Sequence, residues 1–316
     1  MENYNLKKGA IFASISIFTI GLQPVISNAR PRIIDPYLFG AITALIEAVI
    51  ILPIFILERH KLKKELLNST ELHEKYFSLL NGWKKKVNIK VLIIIGLSFS
   101  VVPILLYIGY ELAGAIISSL TMKSEIIFAL IFGFLLLKEK ITKMQIVFCF
   151  LLFFGLIIAI TGGSFNLLEF NLGVFILLLS VVLFTFVHAL TKISFERNEL
   201  FSSQVVFLRN FISGILLTIT YFLIFPLENI FIVFNPNNLV FFLVMGLDYS
   251  ISLFLWYKAL TYIQIGKASI IISLTPVVSA FFSFLFLGEI FTISHLIGTI
   301  IIMLSIWMIM KEKNEV

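Results

Sequence analysis

The stretch ELAGAIISSLTMKSEIIFALIFGFLLLKEKITK, residues 111–143, decides how this chain is read. Its apolar part, Leu112 to Leu137, predicts one helix of roughly 26 residues, long enough at about 1.5 Å per residue to span a bilayer with some tilt. Lys123 and Glu125 fall near its middle. A charge at bilayer depth costs on the order of 3 kcal/mol by insertion scales, so such residues face a bundle interior or a cavity. A helix that keeps both is expected to use at least one of them.

Composition points the same way. Of 316 residues, 59% are hydrophobic and 13% charged, with a mean hydropathy of +1.06 and 34 phenylalanines. A soluble chain of this size needs far more polar surface, so an all-α integral membrane protein is expected. The apolar runs are long and continuous rather than alternating, which argues against a β-barrel. The formal net charge of +6 invites a nucleic-acid reading. The Lys and Arg residues cluster between apolar spans, however, where positive-inside topology accounts for them, and no nucleic-acid partner is expected. Cys149 is the single cysteine and lies in an apolar run, so it forms no internal disulfide. Lys7, Lys8, the apolar run from Gly9 and Ser27-Asn28-Ala29 resemble a signal peptide with its cleavage site. The second half of the chain repeats this segment where cleavage is impossible, and we read it as a retained span.

Apolar runs between charge and turn signals predict ten spans, at 9–28, 36–57, 89–108, 112–137, 143–162, 171–192, 202–225, 237–257, 260–287 and 291–310. Most connections are short. The exception, about 58–88, carries ERHKLKKELL and GWKKKVN, and between them Leu72, Tyr76, Leu79, Leu80 and Trp83 recur at helical spacing. This insert reads as a short amphipathic helix on the cytoplasmic leaflet, or as a solvated loop. With the N-terminus inside, the inner side holds nineteen Lys and Arg and the outer side two, Arg30 and Arg32, with Lys123, Arg209 and Lys267 within spans. Both termini are therefore expected in the cytoplasm and the chain in the cell membrane.

The chain also repeats itself. IIGLSFSVVPILLYIGYEL (94–112) aligns with VMGLDYSISLFLWYKALTY (244–262) at an offset of 150, pairing Gly96 with Gly246, Ser98 with Asp248 and Tyr107 with Tyr257. LLLKEKIT (135–142) meets LFLGEIFT (285–292) at the same offset, while Ser119-Leu120-Thr121 matches Ser273-Leu274-Thr275 at 154. Each half, 1–165 and 166–316, holds five spans. An odd number inverts the second half relative to the first, giving ten transmembrane helices as two inverted five-helix repeats, the plan of many secondary transporters.

Ala268-Ser269, Leu274, Pro276, Leu287-Gly288-Glu289 and Gly298 resemble the second EamA-type repeat of the drug/metabolite transporter superfamily. The first half is similar but departs from the pattern: Lys138 replaces the glycine, and Met122 or Ile126 stands at the proline position. The resemblance covers all ten spans apart from the insert. It implies ten helices around a central cavity and alternating access. Relatives such as nucleotide-sugar and triose-phosphate carriers are similar in placing a lysine in helix four that engages an anionic group, a role the resemblance implies for Lys123 alone.

The charges within spans, Glu47, Lys123, Glu125, Arg209, Asp248 and Lys267, balance as three acids and three bases. Left unpaired, the six would cost on the order of 15–20 kcal/mol, more than a protein's net stability. Arg209 and Lys267 lie near the cytoplasmic ends of their spans, where long side chains snorkel and neutralise charge. Lys123 and Glu125 project about 200° apart on a regular helix and so do not pair with each other. Ser119 shares the Lys123 face, and Glu47 or Asp248 is the expected partner of Lys123. Asp248 reads either as a proton-exchanging carboxyl or as a member of a structural ion pair. His188, beside Phe184 and Phe186, lines a cavity or is hydrogen-bonded in the packing. Tyr107, Tyr110, Trp256 and Tyr257 read as an interfacial belt, and Ser269, Ser273, Ala280 and Ser283 as a close-packing stripe. The expected function is secondary transport of a small organic solute bearing a carboxylate or phosphate, with a proton or an exchanged solute as co-substrate and no cofactor. The candidate substrate contacts are Lys123, Glu125, Asp248, Glu47, Ser119 and His188. A channel or a non-transporting scaffold is the alternative. An intramembrane enzyme is disfavoured, since the spans hold no HExxH, no paired metal ligands and no nucleophile motif.

Overall fold

Several helices begin where a side chain satisfies their first N–H groups. At Asp35-Pro36, the Asp35 carboxylate accepts from the N–H groups of Tyr37 and Leu38, both at 2.9 Å, and Pro36 opens the helix without an N–H to lose. At Thr142-Lys-Met-Gln145, the Thr142 hydroxyl accepts from Gln145 N–H while the Gln145 side chain accepts from Thr142 N–H, a reciprocal capping box. A computed structural model of the chain describes residues 6–68, 73–138, 140–165, 171–262 and 271–311. Its helices are α1 (Leu6–Ala29), α2 (Pro36–Asn68), α3 (His73–Asn81), α4 (Lys86–Phe99), α5 (Val102–Ala113), α6 (Ala115–Thr121), α7 (Glu125–Leu137), α8 (Lys143–Ile160), α9 (Leu172–Glu196), α10 (Ser202–Ile224), α11 (Ile230–Phe234), α12 (Pro236–Tyr262), α13 (Thr275–Leu287) and α14 (Ile293–Lys311).

Among the described residues, eight stretches are long and apolar enough to cross a membrane: Lys7–Ala29, Pro36–Asn68, Lys86–Ala113, Ala115–Leu136, Lys143–Ile160, Leu172–Glu196, Ser202–Ile224 and Pro236–Ala259. Two shorter apolar helices, Thr275–Leu287 and Ile293–Ile309, stand where the ninth and tenth spans are expected. The expected start of the ninth span, with Lys267, Ala268 and Ser269, lies outside the described residues. The chain is thus an all-helical, multi-pass membrane protein.

The quoted stretch departs from one continuous helix. Gly114, at φ +81°, separates α5 from α6, a conformation an L side chain resists. The Glu289 carboxylate then accepts from the N–H groups of Ala115 (2.8 Å) and Ile116 (3.0 Å), so the LGE segment of the second half caps α6. Seven residues on, a 3₁₀ turn at Met122–Ser124 separates α6 from α7. The hydroxyls of Ser118, Ser119 and Thr121 donate back to the carbonyls of Gly114, Ile116 and Ile117 just before it, bonding that bends helices. The tighter turn alters the phase between Lys123 and Glu125, and the two attract each other across it. After α7, Lys138 takes the left-handed conformation at φ +57°, as Gly288 does after α13 at φ +69°. The lysine therefore replaces the repeat's glycine without changing the turn.

The chain forms two compact units, each drawing on both sequence halves. The first comprises Met1–Arg30, Leu105–Phe186 and Leu255–Val316. In it α1 packs on α13, where Ser279 donates to the Gly21 carbonyl at 2.6 Å, and α8 packs on α14. A Cβ on Gly298 would sit 2.7 Å from the Gly155 carbonyl, so these glycines let α8 and α14 touch backbone to backbone. Tyr107, Tyr110 and Tyr257 belong to this unit and are buried, not spread in an interfacial belt. Their rings turn inward, and Tyr107 and Tyr110 meet edge to face at 6.3 Å.

The second unit comprises Pro31–Ile104 and Val187–Phe254. Here α10 packs on α2 and α4. The repeat partners Gly96 and Gly246 do the same job twice: a Cβ on either would lie 2.5 Å from an isoleucine methyl, of Ile212 and Ile46 respectively. The insert is helical, but ERHKLKKELL continues α2 to Asn68, and α3 lays Leu80 against Leu62 and Phe201 rather than leaving its apolar face to lipid. Leu72 lies outside the described residues. The insert's end is clasped by Glu199, which accepts from Lys85 at 2.5 Å and Asn88 at 2.8 Å. The Lys85 hydrogen bond holds the Glu199 carboxyl below the usual range.

Candidate functional site

The second unit gathers a charged cluster around Arg209. α10 carries Arg209 and Asn210 side by side in an otherwise apolar run, and both are 2% exposed. The guanidinium does not snorkel. It turns inward, with Cζ 3.9 Å from the centroid of the Phe99 ring at the end of α4 and 5.7 Å from Tyr249 on α12. Nε donates to Asn210 Oδ1 at 2.9 Å. Nη2 lies 3.8 Å from Glu47 Oε2 on α2, an electrostatic contact too long for a hydrogen bond. Among the described residues Nε alone of the guanidinium donates a hydrogen bond, which leaves the paired nitrogens that grip carboxylates and phosphates without acceptors.

Two predicted site residues join this cluster. Asp248, on α12, is 8% exposed, lies close enough to Glu47 to repel it, and has Oδ2 without a hydrogen-bond partner among the described residues. His188, on α9, stacks on Phe99 with ring centroids 6.4 Å apart. Glu47, Asp248 and His188 are thus brought together, but by Arg209, whose inward position hydropathy does not reveal. A signal was present: Glu47 and Arg209 sit in the second span of their respective halves, each a charge in an apolar helix.

The first unit holds the other predicted residues. Lys123, 3% exposed and in the 3₁₀ turn, donates through Nζ to the Ile272 carbonyl at 3.0 Å, just before α13. The hydrogen-bond partner of Lys123 is thus a backbone carbonyl rather than Glu47 or Asp248, because a turn at that point aims the ammonium at Ile272. Ser119 is buried, its hydroxyl spent on the Ile116 carbonyl, and Glu125 opens α7 half-buried. A lysine and an acid in one broken helix, and an arginine facing an acid on a neighbouring helix, put a buried basic group within the spans of each unit. Such groups in spans mark solute or ion pathways. Among the described residues no three His, Cys, Asp or Glu side chains converge as a metal site.

Comparisons with known proteins agree with this architecture. No curated protein matches the chain. Eighteen solved chains match. One of them, described only as a crystal structure of a protein, has a TM-score of 0.60 at 12% identity over 95% of this chain and 94% of its own, which shows a shared fold. The EamA-like transporter family matches residues 7–161 and 171–311, both repeats and nearly the whole chain. The chain therefore belongs to the EamA-like transporter family, the membrane transporters of the drug/metabolite superfamily.

Proposed function

We propose that this transporter is a secondary carrier that moves a small organic solute bearing a carboxylate or phosphate by alternating access. The observation that carries this reading is the Arg209 guanidinium, buried, stacked on Phe99, and engaging Glu47 only at 3.8 Å. Its two Nη groups are the right donors for a planar carboxylate or a phosphate, and the loose contact to Glu47 is one a solute's anion can replace. Glu47, Asp248 and His188 surround that position. Lys123, with Glu125 and Ser119, is a separate candidate contact within the other unit. The two sequence repeats, 1–165 and 166–316, carry one such group each. A thermal-shift series on the purified protein tests the substrate class. Benzoate, succinate, inorganic phosphate and glycerol phosphate are the anionic probes, and tetraphenylphosphonium and glucose the cationic and neutral ones. Stabilisation by at least one anion and by neither other probe is expected. Stabilisation by the cation alone contradicts the reading.

The same proposal puts the chain in the cell membrane with both termini and the 58–88 insert in the cytoplasm, on the nineteen-to-two excess of basic residues. A thiol introduced at Ser78 is expected to escape an impermeant reagent applied to intact cells, and one at Asn235 to react. The opposite pattern overturns the orientation.

A further inference from the structure

We propose that Glu47 and Asp248 form the binding site of a coupling proton, so that a monoanionic solute taken by Arg209 travels with one proton. This rests on the anion-carrier reading for its direction, and on the cluster's charges for its chemistry.

The groups that face Glu47 are few. Among the described residues these are Arg209 and Asn210 from α10 and Asp248 from α12, while Tyr249 of α12 and His188 of α9 lie near the guanidinium, His188 across Phe99. Arg209 is the one fixed cation among them. Glu47 and Asp248 are two acids, 4% and 8% exposed, on helices that touch at Ile46 and Gly246, one residue from Glu47 and two from Asp248, and each charge disfavours the other. Two carboxylates on touching helices in a poorly hydrated place do not both ionise beside a single cation, so one of them holds a proton. Glu47 has Arg209 at 3.8 Å and is the ionised member. Asp248, with Oδ2 lacking a hydrogen-bond acceptor or donor among the described residues, is the protonated one. The resting cluster is then neutral: one guanidinium, one carboxylate, one carboxylic acid.

A solute anion that takes Arg209 leaves Glu47 ionised and without its counter-charge, beside Asp248. The Glu47 carboxylate then accepts one proton from the water phase open to the site and becomes a carboxylic acid. The loaded cluster is again neutral, with guanidinium and solute anion paired and both acids protonated. One monoanion and one proton cross together, and a monoanion without a proton would leave an unbalanced buried charge. The donor set fits a proton better than a metal ion, since Glu47, Asp248 and His188, though gathered in one cluster, do not converge as a metal site among the described residues.

Infrared spectroscopy of the purified full-length protein tests this without any solute, so its outcome is separate from the identity of the cargo. At neutral pH the wild type is expected to show a protonated-carboxyl C=O stretch that is lost in Asp248→Asn. Removing the cation mimics its capture: Arg209→Met is expected to gain one further protonated carboxyl per protein, absent in the double variant Glu47→Gln, Arg209→Met. Arg209→Gln serves the same purpose if the methionine variant does not fold, and if neither folds the Asp248-sensitive band alone decides. A wild type without that band, or an Arg209 variant whose carboxyl region matches the wild type, overturns the proposal. An anion screen that fails while both bands appear leaves the proton site standing and removes only its cargo.

Discussion

Arg209→Met is expected to abolish stabilisation of the protein by its anionic ligand. A charge-assisted hydrogen bond contributes about 1.5–3 kcal/mol, which corresponds to roughly 10- to 100-fold in affinity. Arg209 is placed to make two, with Phe99 at 3.9 Å holding the guanidinium plane and Asn210 holding Nε. The substitution also leaves Glu47 buried without its cation, and breaking such a pair costs about 3–5 kcal/mol when the remaining charge stays ionised. Stability and binding separate in the double variant with Glu47→Gln, which has neither charge. It is expected to regain thermal stability and to remain insensitive to the anion. Arg209→Lys is expected to be impaired as well, because a point ammonium can neither stack on Phe99 nor present paired donors. Undiminished anion-dependent stabilisation of Arg209→Met would show that the anion binds elsewhere.

Lys123→Met is expected to fold and to lose transport. Lys123 sits in the 3₁₀ turn between α6 and α7 and donates to the Ile272 carbonyl at 3.0 Å, joining the broken helix to the approach to α13. Methionine matches the length and flexibility of the lysine stem, so the packing survives, but it cannot donate. The lost hydrogen bond costs about 1–3 kcal/mol, and Glu125 loses the positive charge it faces across the turn. Lys123→Arg is expected to be slow too, since a larger planar group does not fit a site built for an ammonium on one carbonyl. The check is initial-rate uptake by reconstituted protein, with thermal unfolding as the folding control. Normal rates in Lys123→Met would leave Lys123 a structural brace.

Much of the fold can be read directly from residues, because helix ends are local chemistry. Asp35-Pro36 and Thr142-Lys-Met-Gln145 announce helix starts, and both caps are present. Gly298, singled out by family resemblance, turns out to be where α14 meets α8. The site is less legible, because it depends on the azimuth of each side chain about its helix, which hydropathy does not contain. Arg209 looked able to reach the membrane surface from the first half of α10. It turns inward because Glu47, 162 positions earlier in the chain, and Phe99 await it. Tyr107, Tyr110 and Tyr257 have the composition of an interfacial belt, and only packing shows that they are buried. The turn at Met122–Ser124 was hidden for another reason. Ser118, Ser119 and Thr121 are each compatible with a regular helix, and it is their joint back-bonding that precedes the tightened turn.

Counterflow in proteoliposomes tests the carrier most directly. Vesicles containing the protein are loaded with the stabilising anion at high concentration and diluted into a trace of the same anion carrying a radiolabel. A carrier returns loaded more readily than empty, so transient accumulation of label above its external concentration is expected. It is also expected to be larger at acidic than at alkaline pH, and absent in Arg209→Met vesicles. Label that only equilibrates, at a rate indifferent to the loaded anion, would mark a channel and contradict the alternating-access account.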